Sequence, residues 1–200
     1  MYMNRFFSES QPDPNQEASN RGTSERLFVR DILETVILSM LLFFGINFLS
    51  ARIRIESISM QPTLYDGNFV LVNRIAYRFF QPERGDVIVF HPPVNPDEEP
   101  YIKRVIGLPG EKILVENGIV YINGISLREN YIKDAPNYQG SWVVPNDSLF
   151  VLGDNRNNSS DSHSWGVVPI ENVIGTAEVI YWPPEQWKIL NVNTAFAASP

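Results

Sequence analysis

The chain has 200 residues, a net charge of −7 and no cysteine. This length holds one globular domain beyond any tail or membrane segment. The acidic balance, with no Lys/Arg cluster, gives nucleic-acid phosphates no basic surface on which to release counterions. The missing thiols rule out disulfides, Cys nucleophiles and Cys-ligated metal centres.

Residues 1–24 are rich in Ser, Asn, Gln, Pro and Glu, with almost no periodic apolar pattern after Phe7. Such a segment does not repay its ordering entropy, so a flexible tail is expected over 1–30. From Ile32 to Leu49 the sequence reads ILETVILSMLLFFGINFL, close to the ~20 residues that cross a ~30 Å hydrocarbon core. Residues 31–50 are therefore expected to form a transmembrane anchor. Glu34 near its start reaches the headgroups by snorkelling. The exit FLSARIR has no small-residue cleavage signal, which favours an uncleaved anchor over a secretory leader. Arg21, Arg26 and Arg30 precede the run while Arg52 and Arg54 follow it, a slight bias toward a cytoplasmic N-terminus.

Beyond the anchor, residues 51–190 alternate in short stretches rich in Val, Ile, Phe and Tyr: 52–56, 69–73, 86–90, 101–106, 112–116, 119–122, 149–152 and 173–182. That pattern predicts strands. Asn117-Gly118 is the signal of a type I′ hairpin, and Asn123-Gly124 marks a further turn. The 15 prolines discourage long helices. The expected fold class is mainly β: an antiparallel β-sheet domain, closing on itself, behind a single N-terminal transmembrane helix. HPPVNPDEEP, from His91 to Pro100, reads as a solvated connector, and 191–200 as a C-terminal tail without a structural signal.

Three clusters carry chemistry. In Ser57-Ile58-Ser59-Met60-Gln61-Pro62-Thr63-Leu64, a serine caps a turn unless a base stands within hydrogen-bond reach and makes it a nucleophile. In Tyr101-Ile102-Lys103-Arg104, strand alternation puts Lys103 on the face opposite Ile102 and Arg104, so that one cation points inward while its neighbour stays wet. Burial disfavours the charged form of such a lysine; lowering it from ~10.4 to ~7 takes about 4.6 kcal/mol. The run from Gly153 to Gly166 is dense in hydroxyls, amides and charges. Read as a calcium loop from Asp154, it fails at Arg156, Ser159 and Trp165, which occupy positions that need an oxygen ligand, Gly and Glu. A network of Asp154, Arg156 and Asp161 with bidentate Arg–carboxylate pairing suits the residue types better. No metal site is expected, because His91 and His163 are the only histidines.

In this order, the three clusters and Arg84-Gly85-Asp86-Val87 resemble the sequence boxes of the type I signal peptidases (leader peptidases, peptidase family S26). These membrane-bound serine endopeptidases remove signal peptides from exported preproteins. The resemblance implies Ser59 as nucleophile, Lys103 as general base, an oxyanion hole from the Ser57 hydroxyl and the Ser59 N–H, and Ser159 orienting the lysine. It also implies structural roles for Asp154, Arg156 and Asp161, and no cofactor. Shallow apolar pockets would receive small substrate residues, with Ile55, Ile58, Val87 and Ile102 as candidate lining. Partners would be signal-peptide-bearing preproteins and the lipid bilayer, with the catalytic domain on the periplasmic or thylakoid lumenal side. Oligomeric state has no sequence signal. Glu56 stands where the family often has Pro, and His163 where well-known bacterial members have Arg; the latter resembles the cyanobacterial and thylakoid form. Two rival readings are a Ser–His–Asp hydrolase using His163 and Asp161, and a tethered β-rich binding module without catalysis.

Overall fold

A computed structural model of the chain describes residues 14–95, 97–190 and 195–197, with side chains for 28, 30–95 and 97–190. It divides into two units, one ending at Asn47 and one beginning at Phe48.

The first unit is formed by the helix α1 (Pro14–Leu49). Residues 14–30, expected as tail, are helical, whereas 1–13 lie outside the described residues. Helical continuation is consistent with the absence of any proline between Pro14 and Pro62. Its stretch Arg30–Leu49 is 20 residues with mean hydropathy 2.1, long and apolar enough to cross a membrane. Leu38, Leu41, Leu42 and Phe43 are all exposed, so apolar groups cover the helix on every side. Three polar side chains of this stretch bond back to the helix's own carbonyls, which removes the cost of placing them in lipid. Thr35 Oγ1 donates to Asp31 O at 2.8 Å, Ser39 Oγ to Thr35 O at 2.7 Å, and Asn47 Nδ2 to Phe43 O at 2.9 Å. Glu34 pairs with Arg30 one turn earlier, at 3.5 Å.

The second unit begins with β1 (Ser50–Arg54), β2 (Phe69–Asn73), the single-turn α2 (Ala76–Phe79), β3 (Val87–Phe90) and β4 (Tyr101–Gly107). It continues with β5 (Lys112–Glu116), β6 (Ile119–Ile122), β7 (Ile125–Glu129), β8 (Gly140–Val143) and β9 (Ser148–Leu152). Last come α3 (Ser162–Trp165), β10 (Val168–Pro169), β11 (Val173–Trp182), β12 (Lys188–Ile189) and β13 (Ala195–Ala197). One sheet has the order β1-β2-β11-β3-β4-β9-β10, with β12 added to β11; the other runs β13-β7-β6-β5-β8. All the pairings are antiparallel. Both Asn-Gly pairs take positive φ, with Asn117 at 52° and Gly118 at 78°, and Asn123 at 51° and Gly124 at 87°. These left-handed pairs turn β5 into β6 and β6 into β7, as type I′ geometry requires. Of the expected C-terminal tail, 195–197 pair with β7, and 191–194 and 198–200 lie outside the described residues.

The first sheet positions the site. Ile55, Met60, Leu64, Val70, Val72, Val87, Val89 and Ile102 pack into one apolar cluster. Ile88, Phe90, Val105, Leu149, Val151 and Val168 pack into another. Cross-strand partners on β3 and β4 put Val89 beside Ile102 and Ile88 beside Lys103. The two clusters therefore cover opposite faces of these strands, and β4 is buried at every position after Tyr101.

Candidate active site

The chain is pinned where it leaves β1. Ile55 N donates to Asn68 O at 2.8 Å, and Ile55 O accepts from Gly67 N at 2.9 Å. Met60 and Leu64 are wholly buried. Ser57 and Ser59 lie between these anchors, on backbone that close packing holds in place.

Lys103 arrives from β4. Its face is shared with Ile88 and, by alternation, with Val105, and both are fully buried. The lysine itself is 5% exposed. Nζ lies 2.8 Å from Ser59 Oγ and donates to Ile102 O at 3.0 Å. Burial lowers the Lys103 pKa from 10.5 to about 8, and the charges of Asp161 and Asp154 keep it from falling further. At pH 7 a group at about 8 is neutral roughly one-tenth of the time, about 300-fold more than one at 10.5. An amine that donates to a carbonyl keeps a lone pair to receive the hydroxyl proton. Ser57 Oγ stands 3.3 Å from Ser59 Oγ.

Arg104 departs from the expectation that it stays in water, being 1% exposed. Because β4 is covered on both faces, alternation does not separate a dry cation from a wet one. Arg104 Nε and Nη2 donate to Asp154 at 2.8 and 2.7 Å, and Nη1 to Gly85 O at 2.8 Å. The expected internal network of the 153–166 loop is also corrected. Asp154 pairs with Arg104 on β4, and Arg156 pairs with Glu129 at the end of β7, its Nη1 donating at 2.7 Å. Asp161 accepts from Gly153 N at 2.9 Å, and it caps α3. The loop is thus tied outward to distant strands, and neither Arg104 nor Glu129 was identifiable as a partner within the loop's own sequence.

The loop also holds Ser59. Asn155 N donates to Ser59 O at 2.9 Å and Asn155 Nδ2 to Ile58 O at 3.1 Å, a role that the sequence did not signal. A side chain at Gly153 would meet Ser59 O at 2.5 Å and would also collide with Ser159 Oγ. Ser159 therefore sits against the same contact, its buried hydroxyl without a hydrogen-bond partner among the described residues. The run Arg84-Gly85-Asp86-Val87 makes structural contacts: Arg84 grips Glu111 at 2.9 and 2.6 Å, and Asp86 accepts from Tyr77 OH at 2.7 Å.

Beside Ser59 Oγ and Lys103 Nζ lies a cleft of about 330 Å³, lined by Ile53, Ile55, Ser57, Ser59, Val89, Ile102 and Lys103 among others. Strands β2, β11 and β3 intervene between β1 and β4 in the sheet. Curling of the sheet thus brings the end of β1 and the start of β4 to one cavity. Of the four expected lining residues, Ile55 and Ile102 line it. Val87 is fully buried in the core, and Val89, two residues on and on the same face, takes its place. Ile58 is 53% exposed and does not line the cleft. Glu56, Glu99 and Ser160 complete a polar rim.

His163 is engaged elsewhere: its Nδ1 lies 2.6 Å from Asp161 Oδ1, and its ring stacks on Tyr138 at 3.9 Å.

The family model for signal peptidase, peptidase S26, matches residues 29–182. The chain belongs to this family. It is 49% identical over 181 residues to signal peptidase I of Leptolyngbya laminosa, covering 86% of this chain and 89% of that one. A probable signal peptidase I of Synechocystis sp. is 45% identical, covering 75% and 72%. The thylakoidal processing peptidase 1 of Arabidopsis thaliana is 37% identical, covering 66% and 42%. As a member, the chain is a serine endopeptidase of the signal peptidase I type, and the family supports cleavage of signal peptides as its reaction.

Proposed function

We propose that the chain is a membrane-anchored Ser–Lys endopeptidase that cleaves signal peptides from exported preproteins. The observation that carries this reading is the 2.8 Å approach of Lys103 Nζ to Ser59 Oγ, at a lysine lowered to about 8 by burial. Neutral Lys103 takes the Ser59 proton as Oγ attacks the scissile carbonyl. The tetrahedral oxyanion is met by the Ser57 hydroxyl and the Ser59 N–H. Protonated Lys103 then gives its proton to the departing amine, leaving an acyl-Ser59 ester, and next activates the water that hydrolyses it. Ser159 orients the amine, and its unpartnered hydroxyl is available for that bond.

The preprotein lies extended along β1, an edge of the sheet, so that backbone hydrogen bonds supply affinity while Ile53, Ile55, Val89 and Ile102 limit side-chain size. With Arg30–Leu49 as the anchor, enzyme and substrate share one membrane, which raises effective concentration. The N-terminus is cytoplasmic and the catalytic domain lies on the periplasmic or thylakoid lumenal side.

The test compares Ser59→Ala, Lys103→Ala and His163→Ala on a preprotein in vesicles. The first two lose cleavage and the third retains it. Retained cleavage in Lys103→Ala together with loss in His163→Ala would replace this mechanism by a histidine one.

A further inference from the structure

A second cavity, of about 440 Å³, lies within the folded unit and is lined by Phe48, Arg74, Arg78, His91 and Glu171 among others. No described carboxylate pairs with Arg74 or Arg78, in contrast to Arg84, Arg104 and Arg156. In a chain of net charge −7, two guanidiniums without a described carboxylate partner, that of Arg78 lying 6.0 Å from the Phe48 ring centre, share one cavity with the single carboxylate of Glu171 and form a local anion site. Guanidiniums match phosphate oxygens in bidentate fashion.

Chain connectivity says where this cavity is. Phe48 and Leu49 are the last residues of the apolar run, and Arg74 N donates to Leu49 O at 3.0 Å. If the run spans a bilayer, Arg74 is tied to the residue at which it leaves the hydrocarbon. Next to Arg78, Phe79 and Phe80 are each 73% exposed, apolar rings of the kind that enter the headgroup boundary.

We propose that this cavity binds the phosphate of an anionic lipid headgroup, with Phe79 and Phe80 inserted beside it. The catalytic unit then meets the bilayer at a second point besides the anchor, which holds the Ser59 cleft at a defined height for a substrate held in the same membrane. The inference rests on the anchor reading above.

The absence of native cysteine makes a spin-label test clean. The full chain is labelled at Gln81→Cys, or separately at Leu41→Cys within the apolar run, and placed in phosphatidylcholine vesicles with or without about one-third phosphatidylglycerol. Collision with lipid-soluble oxygen against a water-soluble nickel chelate reports depth. The label at 81 should move toward lipid when phosphatidylglycerol is present. Arg74→Gln and Arg78→Gln should each lower the docked-to-undocked ratio about fivefold, the effect of one arginine near an anionic surface. Arg128→Gln, a distant exposed arginine, should leave it unchanged. Cleavage in detergent, unchanged in all three, checks folding. A label at 81 indifferent to lipid charge, or to both cavity substitutions, overturns the headgroup site alone. Undocking by millimolar inorganic phosphate but not by matched chloride assigns the cavity to soluble phosphate and also overturns it. A label at 41 that stays in water overturns the anchor and this site together.

Discussion

Replacing Lys103 by Met removes a buried ionisable group while keeping most of its volume. The drop from 10.5 to about 8 corresponds to about 3 kcal/mol at ~1.36 kcal/mol per pH unit. The sign follows from proton counting. Between pH 8 and 10.5 the unfolded chain still holds the lysine proton and the folded chain has released it, so stability rises with pH through this window. Below pH 8 both states are charged, and the fold carries the whole penalty. Lys103→Met also loses the contacts to Ser59 and Ile102, but that loss is common to both ends of the window and cancels in the difference. Urea unfolding in detergent at pH 7 and at pH 10.5 should therefore show the parent gaining about 3 kcal/mol more than the variant. The parent's cleavage rate should climb about tenfold per pH unit below about pH 8 and level off above it. Parallel stability changes in parent and variant would refute the claim that burial tunes this lysine.

Gly153→Ala drives a methyl into Ser59 O and Ser159 Oγ; cleavage should fall more than tenfold, with about 1–3 kcal/mol lost in urea unfolding. Asp154→Asn leaves the Arg104 guanidinium, 1% exposed, without its charge partner, and should cost about 3–5 kcal/mol, whereas Arg104→Met with Asp154→Leu recovers most of that. Thermal unfolding of the single and double variants checks it.

Several elements were legible because their signal is local. The apolar run ending at Leu49 and the alternation in Phe69–Asn73, Lys112–Glu116, Ile119–Ile122 and Val173–Trp182 appear as strands or helix with the expected bounds or close to them. The two Asn-Gly turns follow from which residues tolerate positive φ. Strands Ile125–Glu129 and Gly140–Val143 were not legible. Ile125–Glu129 carries only the short alternation Ile125-Ser126-Leu127-Arg128 and Gly140–Val143 carries none, so both are fixed as strands by pairing with β6 and β5. The lining of the cleft was half legible, since parity along β3 names a face but not which residue of that face reaches the cavity.

By itself the sequence determined the residue types available for chemistry, their order in four boxes, the apolar run and the absence of thiols. Those follow from composition and from neighbours within a turn or a strand. Tertiary structure alone decided that Ser59 and Lys103, 44 residues apart, meet, that Arg104 is as dry as its neighbour, and that Arg156 answers to Glu129. Distance and desolvation are properties of a curled sheet with both faces covered. A lysine with an appreciable neutral fraction near neutral pH exists only once that burial has been imposed.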